Sequence, residues 1–350
     1  MDLISTYANG VSELTGFSQS LEQAPLIVDV IVNPHAGFFK SHSTVLKLIQ
    51  ELEQKLADLR RRFPRRKVEI NTVHLTERAG HARVITEGIL NEETRSASGI
   101  ERLLVGCGGD GTSNEICTAL VQAGGSLLDR LKLLRLPLGT GNDVADAHTF
   151  AEAYDLILGP QKTVRTGAVL VTAGSMSPRY SFNVGSVGLD AFIADLTNRF
   201  KRAIPGQAYK LMVDIGSLFY EQSIRPKPMD IRISGSAGET RIEAFVPSMV
   251  VLGISGARTY GGHMPVLPGR ENVCVVGAMS VMSKIRNKKL FYLGRHGELP
   301  EVTFYQADRV DISYNDRIPM QLDGEISWLQ AADFPVSMKV LEPRIKVLRN

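Results

Sequence analysis

LLVGCGGDGTSNEI, residues 103–116, sets four glycines (Gly106, Gly108, Gly109, Gly111) around one carboxylate, Asp110, between an apolar run and a segment of helical pattern. Glycine tolerates positive φ and lets another molecule approach main-chain N–H groups closely, so a glycine cluster at a strand-to-helix junction suits a bulky anion. A plain turn needs one or two glycines, and an enclosed acid in it is a liability unless it binds something. The stretch reads as a phosphate-binding turn, a tight turn being the alternative.

The flanking segments agree with that reading. LIVDVIVNP (26–34) is a β-rich apolar run ending at Pro34; Ser43 can cap a helix whose apolar positions Val45, Leu48, Ile49, Leu52, Leu56 and Leu59 follow the 3.6-residue period. KVEINTVHLT, ERLLVGC and LKLLRLPLG read as strands, with RAGHARVITEGIL and TSNEICTALVQA as helices between them. This alternation predicts a three-layer α/β domain over residues 26–160, its sheet mainly parallel and its ligands bound at the C-terminal ends of the strands. NPHAG (33–37), GGDGT (108–112) and PLGTGND (137–143) all fall at such ends. Three such loops at successive strand ends converge on one pocket.

After about residue 160 the texture changes to β-branched runs such as RYSFNVGSVGL, TRIEAFVPSMVVLGIS and ENVCVVGAMSV, with one helical interlude near 190–222. Repeated strands with turn residues predict a second domain over 161–327, an antiparallel β-sandwich or barrel. FPVSMKVLEPRIKVL is also strand-like, and pattern alone does not assign it to either domain.

With 350 residues, 43% hydrophobic, the chain is long enough for two cores. A net charge of +3 gives no reason to expect nucleic acid. Cys107, Cys117 and Cys274 form no CxxC pair, which fits a reducing compartment and so the cytoplasm. The seven histidines lack zinc-site spacing. The opening residues carry Asp2 and Glu13 where a signal peptide would be basic and then apolar, and no apolar run is long enough to span a bilayer.

NPHAG, LTERAGHA, GGDGTSNE, PLGTGNDVA, FNVGSVGLDA, YGGHMPVLPG and MQLDGE occur in this order from about residue 26 to the end. Together they resemble the diacylglycerol kinase catalytic-domain family, which includes sphingosine kinases and bacterial lipid kinases; GGDGT by itself is shared with NAD kinases. The resemblance implies an ATP-dependent kinase with nucleotide on the α/β domain and lipid on the β domain, and a C-terminal segment, about 328–350, that returns to the first. It places nucleotide contacts at Asn33, Pro34, His35, Ala36 and Gly37, at Thr76, at Gly109 through Glu115 (Gly111, Thr112 and Asn114 among them) and at Thr140. Gly108, Gly139, Asn142 and Asp143 complete the candidate loops. Glu325 matches the family's general base. One departure concerns metal: relatives carry an aspartate-containing loop after the Gly-Gly-x-x-x-x-Pro segment, whereas GGHMPVLPGRENVCVV has none, leaving only Glu271 and Asn272 as substitutes.

Phosphoryl transfer needs amides, a metal-orienting carboxylate and a base for the alcohol. No GxxxxGK[ST] occurs, so the glycine loops must hold the phosphates, with Asp110 on Mg2+. Glu325 is the expected base, Asp323 its support or a metal ligand, and Asp110 the rival base; the plain alternative is that LDGE is only a hairpin turn. RRRFPRRK (60–67) and KIRNKK (284–289) are either solvated faces or attachment sites for an anionic leaflet. The expectation is a cytoplasmic kinase attached peripherally to the inner face of the membrane, with ATP and a lipid alcohol as substrates and homodimerisation left open. A sphingoid-base kinase, an NAD kinase-type enzyme and a catalytically weak lipid-binding regulator are the competing readings.

Overall fold

The computed structural model describes residues 3–18, 26–63, 70–95, 100–123, 128–139, 142–159, 162–174, 176–200, 208–260 and 264–349. The chain divides into two units, residues 1–166 with 343–350, and residues 167–342.

In the first unit, α1 (Leu3–Thr15) precedes β1 (Leu26–Val32), α2 (His42–Arg62), β2 (Ile70–Leu75), α3 (His81–Arg95), β3 (Glu101–Gly108), α4 (Asp110–Ala123), β4 (Leu131–Pro137), α5 (Phe150–Leu158) and β5 (Lys162–Thr166). Every residue of β1 is buried, as is all of β3 after Glu101. Strands covered on both faces read as unbroken apolar runs, which is why these segments do not alternate. The sheet order is β2-β1-β3-β4-β20-β5, where β20 is Ile345–Arg349; neighbours from β2 to β20 run parallel and β5 is antiparallel.

One local expectation needs correction, and one helix has no counterpart in the pattern reading. Ser41, not Ser43, caps α2: its hydroxyl accepts from the Thr44 amide at 3.4 Å, and Ser43 Oγ lies 3.2 Å from Ser41 Oγ. The helix α1 was absent from the pattern reading, yet its Tyr7, Val11 and Leu14 share one core with Leu48, Leu52 and Leu56 of α2.

The second unit holds β6 (Val169–Ala173), β7 (Met176–Ser181), β8 (Val184–Gly188), α6 (Leu189–Phe200), α7 (Ala208–Ile224), β9 (Met229–Gly235), β10 (Gly238–Phe245) and β11 (Pro247–Gly253). It continues with β12 (Arg258–Tyr260), β13 (Met264–Leu267), β14 (Val273–Gly277), α8 (Val281–Tyr292), β15 (Val302–Tyr305), β16 (Arg309–Ser313), β17 (Ile318–Leu322), β18 (Glu325–Leu329) and β19 (Val336–Val340). Two six-stranded antiparallel sheets result, β10-β9-β16-β19-β6-β7 and β15-β14-β11-β8-β17-β18, with β12 and β13 as a separate pair. Val187, Val250 and Leu252 of one sheet share a core with Ile231, Val310 and Met338 of the other, which makes the unit a sandwich. The alternate residues Met249 and Val251 of β11 join a second core against which Phe291 of α8 packs, so β11 is buried throughout.

The expected single helical interlude is two helices, α6 and α7. ENVCVVGAMSV does not run on as a strand either: β14 stops at Gly277, and Ser280 caps α8 by accepting from the Ser283 amide at 3.1 Å. The final segment divides. Residues 328–342 stay in the second unit, where β18 pairs with β17 and β19 with β16 and β6, and only β20 joins the first sheet. Among the described residues no helix is long and apolar enough to cross a membrane.

Candidate active site

The ends of β1, β2, β3 and β4 bring the glycine-rich loops together. Asn33 Nδ2 donates to Thr112 Oγ1 at 2.9 Å, tying the first loop to α4, and its Oδ1 accepts from the His35 amide at 2.9 Å. The Phe38 amide donates to the Leu138 carbonyl at 3.1 Å, so the first loop also reaches the fourth. Thr76 is held through its amide on the Val32 carbonyl at 2.9 Å. Pro34, Ala36 and Gly37 complete the first loop; Thr140 lies outside the described residues.

The glycines divide into different jobs. A Cβ on Gly139 would stand 2.6 Å from Gly109 Cα, so the third and fourth loops pack backbone on backbone. On Gly108 it would meet Thr112 at 2.5 Å and on Gly106 Ile116 at 3.0 Å, whereas at Gly111 nothing lies within 4 Å. Of the four glycines that open the sequence reading, only Gly111 faces open space.

Asp110 opens α4, and the amides of Asn142, Asp143 and Val144 turn toward its carboxylate, Val144 at 3.2 Å from Oδ1. Asn142 holds positive φ and accepts from the Gly139 amide at 2.7 Å, which bends the loop into that position. Burial, and then the neighbouring Asp143, push the Asp110 carboxyl above its usual range in spite of those amides. Two acids sharing a half-enclosed place beside a helix N-terminus are suited to a cation that itself carries an anion. Glu115 does something else: its oxygens accept from the Gly80 and Ala82 amides at 2.7 and 3.0 Å, closing the N-terminus of α3. Asn114 Oδ1 accepts from Thr118 at 3.3 Å within α4.

In the second unit, LDGE is indeed a hairpin. Leu322 faces Glu325 across β17 and β18, and Asp323 and Gly324 both take positive φ, as a two-residue turn of the primed type requires. The Asp323 carboxylate accepts from Ser181 Oγ and the Phe182 amide at 2.6 Å each, from the Asn183 amide at 3.0 Å and from the Val184 amide at 3.2 Å. Four donors fill both oxygens, so Asp323 braces the β7–β8 turn. Asp323→Asn keeps the turn conformation but gives up one acceptor oxygen, and it is expected to cost about 1–3 kcal/mol of stability. Denaturant unfolding of the variant checks this; an unchanged midpoint would remove the bracing role.

Glu325 is exposed, with Oε2 3.1 Å from Arg179 Nη2; Arg179 also bonds Ser327. Arg179 was not among the expected site residues, and no local motif marks it. A hydrogen-bonded path leads inward from this turn: the Gly324 amide donates to Gln321 Oε1 at 2.8 Å, Gln321 Nε2 donates to Ser186 Oγ at 2.8 Å, and Ser186 bonds Asp190. Asp190 lines a cavity of about 320 Å³ bounded by Leu189, Ile193, Leu218, Met249, Val266 and Phe291. Its polar wall includes Lys284, which is ion-paired with Glu221 and donates to the Ser217 carbonyl at 2.9 Å.

Of the two substitute metal ligands, Glu271 and Asn272, the second is committed to the fold. Asn272 is buried, donates to the Ala307 carbonyl at 2.8 Å and accepts from the Ala307 amide at 2.9 Å, which leaves its amide group committed to the fold. Of the first basic run, Arg60 pairs with Glu13 at 2.7 Å, and Arg61 and Arg62 with Asp58 at 3.5 and 3.0 Å. Arg65, Arg66 and Lys67 lie outside the described residues.

Two family descriptions match successive parts of the chain. The diacylglycerol kinase catalytic domain matches residues 28–169, and the YegS C-terminal NAD kinase beta sandwich-like domain matches residues 183–349. The chain belongs to the diacylglycerol kinase catalytic-domain family, its catalytic domain followed by a C-terminal sandwich of the YegS type. It is 27% identical over 314 residues to YtlR of Bacillus subtilis (strain 168), described as a candidate lipid kinase, covering 85% of this chain and 92% of that one. To a diacylglycerol kinase of the same organism it is 23% identical over 309 residues, covering 87% and 91%. A solved structure from Bacillus anthracis str. Sterne, titled as a candidate diacylglycerol kinase, superposes with a TM-score of 0.59 at 19% identity, over 93% of this chain and 97% of that one. At that identity the likeness concerns the fold.

Proposed function

We propose that this protein is an ATP-dependent lipid kinase that transfers the γ-phosphoryl group of ATP to the hydroxyl of a lipid acceptor, with diacylglycerol the default acceptor. The observation that carries this reading is the apolar cavity of the second unit, joined by hydrogen bonds through Asp190, Ser186 and Gln321 to the turn that bears Glu325. A dinucleotide acceptor is polar along its length and gains little from such a cavity, which counts against the NAD kinase alternative. A sphingoid base or another lipid alcohol suits the same cavity.

In this reading the loops at Asn33–Gly37, Thr76, Gly108–Glu115, Gly139–Thr140 and Asn142–Asp143 hold the nucleotide, Gly111 leaving room at the α4 N-terminus. Magnesium usually takes one or two carboxylates besides waters and phosphate oxygens, and Asp110 with Asp143 supplies that set. Among the described residues no group of three acid, histidine or cysteine ligands exists. An ion held there by Asp110 and Asp143 would supply charge to offset that on the transferring group. Glu325 accepts the acceptor's hydroxyl proton, Arg179 orients it, and Asp323 fixes the turn. The acceptor's chemistry places the enzyme at a membrane surface, acting from the cytoplasm.

Incubation with labelled ATP, magnesium and a panel of lipids, with NAD as control, tests the proposal. Label is expected in a lipid. Label in NAD, or lipid binding without turnover, would replace this reading with the soluble kinase or the regulator.

A further inference from the structure

The helix α8 reads VMSKIRNKKLFY and holds no acid. Lys284 turns inward onto Glu221, and Lys288 pairs with Asp214 at 2.6 Å. Arg286 and Lys289 are exposed and have no ion-pair partner among the described residues. At 100° per residue, Val281, Ile285, Met282 and the capping Leu293 fall within an arc of about 120°, with Lys289 inside it and Arg286 at its edge. All four apolar side chains face solvent, Met282 at 64% and Ile285 at 54% exposure. They are four of the ten large apolar side chains exposed among the described residues, so one short helix concentrates what is scattered elsewhere. Ile285 and Lys288 also line the cavity, which puts this face at the cavity's opening.

An apolar stripe flanked by cations is the pattern of a helix that lies in the headgroup region of a membrane. We propose that the outer face of α8 is an interfacial docking surface for a bilayer containing anionic phospholipid, through which a lipid reaches the cavity. The charge pattern favours that occupant over a second copy of the chain: a two-fold contact between such faces would set uncompensated cations against each other. The access role rests on the lipid-kinase reading; docking itself does not.

Sedimentation with vesicles of phosphatidylcholine, with and without phosphatidylglycerol, tests this on the full chain. Arg286→Gln with Lys289→Gln is expected to weaken binding to anionic vesicles about 30-fold at low salt, with the difference vanishing at about 1 M salt. Met282→Ser is expected to weaken it about tenfold at both salt concentrations. None of these three residues lines the cavity, so turnover of a short-chain, water-soluble acceptor should be unchanged. Because the three native cysteines are buried, Met282→Cys accepts a single environment-sensitive dye, whose emission should shift to the blue on anionic vesicles. Binding of both variants within twofold of the unmodified protein overturns the proposal. So does a change of oligomeric state with vesicle binding intact, which would make the face a contact between copies. Loss of vesicle binding by the variants of a protein that phosphorylates no lipid leaves docking standing and removes the kinase reading; unchanged binding alongside lipid phosphorylation does the reverse.

Discussion

Glu325→Gln is expected to lower turnover of the lipid acceptor by roughly 10²- to 10⁴-fold, or about 3–5 kcal/mol, with little change in ATP affinity. The amide keeps the carboxylate's shape but does not accept the hydroxyl proton. Stability should barely move, because the Arg179 pair is exposed on the Glu325 side and such pairs contribute at most about 1 kcal/mol. Asp323→Asn serves as the contrast: it lowers the unfolding midpoint, whereas Glu325→Gln lowers turnover in a protein that unfolds normally. Turnover under conditions where chemistry is rate-limiting decides the matter. If Glu325→Gln keeps more than about a tenth of it, Glu325 is not the essential base, since a factor of ten is only about 1.4 kcal/mol, and Asp110 takes over the role.

Asp110→Asn is expected to reduce turnover by about 10³-fold or more and at the same time to stabilise the protein free of metal and nucleotide. Burial and Asp143 raise the Asp110 carboxyl above its usual range, so the fold disfavours the charged form relative to the unfolded chain. The resulting cost is absent at pH below the ordinary carboxylate value. It grows as pH rises through the window up to the raised value, and it persists at neutral pH. The Asn variant carries no such cost, so its Tm should exceed that of the unmodified protein at pH 7, and the difference should close in acid. Asn can still accept from Val144, which keeps the fourth loop in place. Magnesium-dependent turnover close to that of the unmodified protein would refute the metal-orienting role, and a lower neutral-pH Tm would refute the charge argument.

The α/β layer and the sandwich are legible in the sequence because their strands carry the evidence locally. LIVDVIV is apolar at every position but one, and Asp-Gly between two β-rich runs marks the β17–β18 hairpin. The glycine loops are legible for the same reason, but their division of labour is not. Gly109 and Gly139 meet across 30 residues of sequence, and Glu115 caps a helix that begins 34 residues before it. The roles of Arg179, Gln321 and Asp190 depend on strand register between segments more than 130 residues apart, which no local pattern encodes. The helix α8 hides for another reason: Lys284 faces inward and Met282 outward, the reverse of what amphipathic spacing leads one to expect.

The return of the chain to its first sheet bears on how the molecule is made. β20 lies between β4 and β5, and β5 has no other neighbour in that sheet. The whole sandwich, residues 167–342, is therefore spliced into the first unit as an insertion, between the strand that waits and the strand that completes it. During synthesis the ribosome must finish the inserted unit before the first unit can close its sheet. Until then the β4 edge stays unpaired and open to another chain. The unit begun first is thus the one finished last, and cutting the chain at residue 342 would leave the sandwich's strands intact while removing the partner that holds β5.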